Sequence, residues 1–124
     1  APTWTFSEPD MQRSTSRRAA QMSDQIMQVL ALLLVQEAED PALRLVTITG
    51  VRLNRDFSIA EILYTHIHGR EAEPEISKAL LRAKGFLRTR LGRELKLRGI
   101  PELRFTWDTF LEDMVYDAPA AADS

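Results

Sequence analysis

Residues 45–67, LVTITGVRLNRDFSIAEILYTHI, decide the fold. Val46 and Ile48 alternate with Thr47 and Thr49, the period-two pattern of a strand with one buried face. After Gly50 the apolar phase shifts to Val51 and Leu53, which predicts a bulge at the glycine. Asn54-Arg55-Asp56 supplies turn chemistry. A second strand is expected from Phe57 to about Ile67, with Ala60, Ile62 and Tyr64 opposite Glu61 and Thr65. Two strands so close in sequence form a hairpin, and its single apolar face requires a cover.

Working outward, the cover on the N-terminal side is a long helix capped by Ser14 or Ser16 and running to about Glu39. Its apolar positions Ala19, Met22, Ile26, Val29, Leu30 and Leu33 recur at helical spacing. Pro41 ends it by disfavouring helical geometry at Asp40. On the C-terminal side, Glu71, Glu73 and Glu75 are carboxylates at a helix start, where the dipole favours them, with Pro74 in the first turn. That helix is expected to run to Ala83, bend or break at Gly85, and resume through Leu97 until Gly99 and Pro101 stop it. Glu102–Asp108, ELRFTWD, reads as a third strand with Leu103, Phe105 and Trp107 facing in. The order is helix, strand, strand, helix–bend–helix, strand. With three strands, the economical packing is α+β with all helices on one face of the sheet.

The 124 residues suit one domain, with residues 1–12 as an N-terminal extension and 118–124 as a disordered acidic tail. There is no cysteine, which removes disulfides, thiolate metal sites and a cysteine nucleophile, and agrees with a cytoplasmic setting. The longest apolar run, Val29–Val35, is far short of the ~20 residues of a membrane span.

Formal net charge is −2, yet Lys78 to Arg104 holds nine basic residues against the acids Glu94 and Glu102, a local balance of +7. On the helix after Gly85, Leu87, Leu91 and Leu95 form the core seam. Arg88, Thr89, Arg90, Gly92, Arg93 and Lys96 fill the remaining arc. With no side chain at Gly92, a phosphate backbone could approach while the cations reach around the gap. Gly85 would supply the bend, leaving free N–H groups at the second helix start for an anion. Lys78, Arg82, Lys84 and Arg98 extend this surface, and Arg13, Arg17 and Arg18 form a second cluster at the first helix. The competing reading is a solvated basic face, or a docking surface for an acidic protein partner.

Catalytic alternatives are weak. His66 and His68 share a strand side but have no evident third metal ligand, so a strand-end or core role is favoured. No phosphate-cradling glycine loop is present. Phe86, Phe105 and Trp107 fall at core-like positions, leaving little for base stacking. No cofactor and no metal are expected.

The words DPALRLVTITGVRLNRDFSIAEILY (40–64), ALLRAKGFLRTRLGRELKLRGIPELRF (79–105) and Trp107-Asp108 resemble the ribosome-binding factor A family, across about residues 13–117. The resemblance implies a KH-like fold in which an interrupted helix marked Ala-x-Gly, here Ala83-Lys84-Gly85, replaces the GxxG loop. It further implies a non-enzymatic monomer that binds the small ribosomal subunit through 16S rRNA and its precursor, and assists late maturation and rRNA processing. A maturation GTPase is a partner implied by the resemblance alone.

Overall fold

The computed structural model describes residues 16–109. The expected N-terminal extension, Arg13, the alternative cap Ser14 and the acidic tail lie outside the described residues. Helix α1 spans Arg17–Gln36, and strands β1 (Val46–Leu53) and β2 (Ile59–His66) follow. Helix α2 (Glu73–Leu95) then leads to strand β3 (Glu102–Trp107). The sheet order is β1-β2-β3, with β1 antiparallel and β3 parallel to β2. A parallel neighbour requires a crossover, and α2 is that crossover.

Ser16 caps α1, its Oγ accepting the Ala19 N–H at 3.1 Å. The helix stops at Gln36, a turn earlier than the proline alone suggests. Asp40 starts a separate 3-10 turn over Pro41–Leu45, its Oδ1 accepting the Ala42 N–H at 2.9 Å. The expected bulge is present: pairing shifts between Ile48 and Gly50, so Thr49 has no opposite number on β2. Its hydroxyl donates instead to Asp108 Oδ2 at 2.5 Å, while the Asp108 N–H donates to the Tyr64 carbonyl at 2.8 Å. Trp107-Asp108 therefore locks the end of β3 across β2 to the bulge.

One core joins the layers. Ile26, Leu30 and Leu34 of α1 and Ile76, Leu80, Leu87 and Leu91 of α2 meet Leu53, Ala60, Ile62, Tyr64, Leu103 and Trp107 of the sheet. Tyr64 and Trp107 pack edge to face with ring centroids 5.5 Å apart, a geometry aromatic pairs prefer. Burial pushes the Tyr64 hydroxyl up to about 12, keeping it neutral. Phe86 departs from the expected core set; it is 40% exposed, on the flank of α2.

The interrupted helix is not observed. α2 runs unbroken through Gly85, and the one glycine with positive φ among the described residues is Gly69. An isolated glycine costs a helix about 1 kcal/mol relative to alanine. Here buried Ile76, Ala79 and Leu80 lie on one side of it and Leu87 and Leu91 on the other. Packing of that shared face outweighs the local penalty. The helix ends at Lys96, which takes a left-handed conformation at φ 53°, and the Leu97 N–H returns to the Gly92 carbonyl at 3.1 Å.

Candidate nucleic-acid interface on helix α2

Because α2 buries Ile76, Ala79, Leu80, Leu87 and Leu91, the opposite side must face outward. Lys78, Arg82, Gly85, Thr89 and Arg93 recur at steps of four, three, four and four, and all five are exposed. This stripe differs from the arc expected from the sequence. It places Gly85 at its middle, where an added Cβ would meet nothing within 4 Å. Arg82 makes one long ion pair, 3.6 Å to Asp40, with a side chain still 69% exposed. Lys78 and Arg93 make no ion pair among the described residues.

Three residues of the expected arc serve the protein itself. The space beside Gly92 is already filled: a Cβ there would come within 2.6 Å of Ile100 Cδ1 and 2.8 Å of Cγ1. Gly92 is small so that the α2–β3 loop can close on the helix, and the gap foreseen for phosphate does not exist. Arg88 is half-buried and donates from Nη2 to the Ile100 carbonyl at 3.0 Å and from Nε to the Pro101 carbonyl at 3.2 Å. Arg90 forms a two-pronged pair with Glu37 at the end of α1, Nη2 to Oε2 at 2.9 Å, and approaches Glu94 at 3.6 Å. That pairing holds the Glu37 carboxyl below its ordinary range and raises the Arg90 guanidinium. Lys84 is half-buried on the flank; the Arg104 hydrogen bond lowers the Glu102 carboxyl, and the charges of Arg104, Lys84 and Arg88 add to it.

Arg88→Ala is therefore expected to destabilise the fold rather than spare it. Two bonds from a charged donor are lost, so a loss of about 2 to 3 kcal/mol in urea unfolding is the expected result. Arg88→Lys should recover little, since an ammonium cannot span both carbonyls.

Lys96 and Arg98 lie beyond the helix, in the loop, and come together with Arg18 at the start of α1 and Arg55 in the β1–β2 turn. Arg17 is exposed beside Arg18. Arg55 carries no sequence signal for this role, because the turn and the end of α2 meet only in three dimensions. His66 is buried; its Nε2 lies 3.1 Å from the Ala42 carbonyl and its Nδ1 accepts the His68 N–H at 3.2 Å. Those contacts place the proton on Nε2 and leave no lone pair for a metal. Among the described residues no three His, Cys, Asp or Glu side chains converge on a metal position. No described helix is long and apolar enough to cross a membrane.

A three-stranded mixed sheet backed on one face by two helices, the second crossing between parallel strands, is a KH-like α+β domain. Within that class, residues 18–116 match the family model described as ribosome-binding factor A. The chain belongs to the ribosome-binding factor A family. It is 39% identical over 95 residues to the ribosome-binding factor A of Nitrosomonas europaea, covering 77% of this chain and 81% of that one. The crystal structure of the Thermus thermophilus factor superposes with a TM-score of 0.61 at 32% identity, over 71% of this chain and 93% of that one. A homology model of the Thermus thermophilus factor, fitted into a cryo-EM map of a 30S complex with it, gives 0.61 at 31% identity, over 73% and 94%.

Proposed function

We propose that this chain is a non-enzymatic assembly factor that binds the small ribosomal subunit through 16S rRNA or its precursor and assists late maturation and rRNA processing. The observation that carries the reading is the exposed stripe of Lys78, Arg82 and Arg93 around a side-chain-free Gly85. Among the described residues nothing packs on that glycine, and a strong helix former would be better there for stability. A bare patch flanked by cations suits the close approach of a phosphate backbone. The relative fitted into a 30S complex supports the ribosome as the place where such RNA is met.

Sedimentation with small subunits tests the reading. The chain should travel with intact subunits and be released when nuclease digests the RNA. Retention after digestion would favour an acidic protein partner instead.

Gly85→Ala separates the two demands on that position. In an exposed helix interior with open space, the substitution should raise stability by about 0.5 to 1 kcal/mol. Subunit binding should weaken, because the added methyl group holds the backbone off. Lower stability would restore the bend; unchanged binding would remove Gly85 from the interface.

A further inference from the structure

The α2–β3 loop, the β1–β2 turn and the start of α1 enclose an open groove of about 810 Å³, within the range of small-ligand sites. Met22, Ile26, Leu53 and Leu95 give it an apolar floor. Arg18, Arg55, Lys96 and Arg98 stand around it, with Asp56 among them. A flat phosphate contact needs no apolar floor, and an apolar partner needs no ring of cations. An unstacked nucleotide needs both.

Backbone strain points to the same place. The described residues include two non-glycine positions with positive φ, Phe57 at 63° and Lys96 at 53°, and both line this groove. At Lys96 the conformation is the ordinary left-handed end of a helix; at Phe57 it is costly for a bulky side chain, and such outliers cluster at binding sites. The strain at Phe57 is held by a rigid turn. Buried Asn54 accepts the Ile59 N–H at 2.8 Å and donates to Ser58 Oγ at 2.9 Å. Asp56 Oδ1 accepts the Ser58 N–H at 3.1 Å and its hydroxyl at 2.6 Å, and the Phe57 N–H donates to the Asn54 carbonyl at 3.1 Å. The Phe57 ring so presented lies 5.5 Å from the Arg18 guanidinium. The half-buried ring packs against the core, and the exposed Arg18 guanidinium lies over it as a flat surface that a base can meet.

We propose that this groove receives one unpaired nucleotide of the bound RNA, its base against Phe57 and Arg18 and its phosphates toward Lys96, Arg98 and Arg55. The proposal rests on the reading of the chain as an RNA-binding factor and adds a single-strand site distinct from the α2 stripe.

Glycine is the informative substitution at both positions, because it removes the side chain while adopting the same positive φ without cost. Fluorescence anisotropy of the full chain would use an eight-nucleotide single-stranded RNA and a blunt RNA duplex as probes. The parent should bind the single strand more tightly than the duplex. Phe57→Gly should weaken single-strand binding about tenfold, as loss of one stacked base does, and leave the duplex unaffected. Lys96→Gly should weaken the single strand and flatten its salt dependence. No preference for the single strand, or unchanged binding by Phe57→Gly, overturns the groove. Subunit sedimentation of the parent, run in parallel, shows whether the wider reading survives that result.

Discussion

A variant carrying Lys78→Ala, Arg82→Ala and Arg93→Ala is expected to melt with the parent and to lose much of its affinity for small subunits. All three side chains are exposed on the outer stripe of α2. Alanine is the best helix former, so the helix itself gains rather than loses. Among the described residues the ion pair broken is that between Arg82 and Asp40 at 3.6 Å, and an exposed pair of that kind contributes little. Each phosphate contact removed should reduce the slope of log K against log salt by about 0.7 to 0.9, so the triple variant should lose about 2 to 3. Titrations at four or five salt concentrations measure this directly. A parallel slope with lower affinity would mean that the stripe acts through shape, and unchanged binding would mean that it is a solvated face.

Trp107→Ala should have the largest effect on stability, a loss of about 3 to 5 kcal/mol by urea unfolding. That is a large part of the total stability of a small domain. Trp107 is 6% exposed, closes the core at the end of β3 and meets Tyr64 edge to face. It also positions Asp108, which ties Thr49 of the bulge and the Tyr64 carbonyl to β3. Trp107→Phe keeps an aromatic edge for Tyr64 and should lose markedly less. Similar losses for the two variants would mean that neither the retained volume nor the aromatic pair carries the effect, which would then belong to the indole itself.

The hairpin, the bulge beside Gly50, a serine cap at Ser14 or Ser16 and the inward set of β3 were legible in the sequence because each is a local matter. Alternation, helical spacing and turn chemistry act over a few residues, and the chain states them directly. The family could be recognised for the same reason, from words such as DPALRLVTITG and RAKGFLRTRLG. What the sequence could not settle was competition between a local preference and packing. Gly85 reads as a break because glycine weakens any helix; only the buried face shared by Ile76, Leu80, Leu87 and Leu91 keeps α2 continuous. The division of labour among the cations was likewise hidden. Arg88, Arg90 and Arg93 are alike in a helical projection, yet the returning loop takes Arg88, Glu37 of α1 takes Arg90, and Arg93 is left on the outer stripe. Composition and periodicity determined that a cationic helix exists. Which of its charges face outward was decided by the α2–β3 loop and the end of α1, whose positions depend on closure of the core.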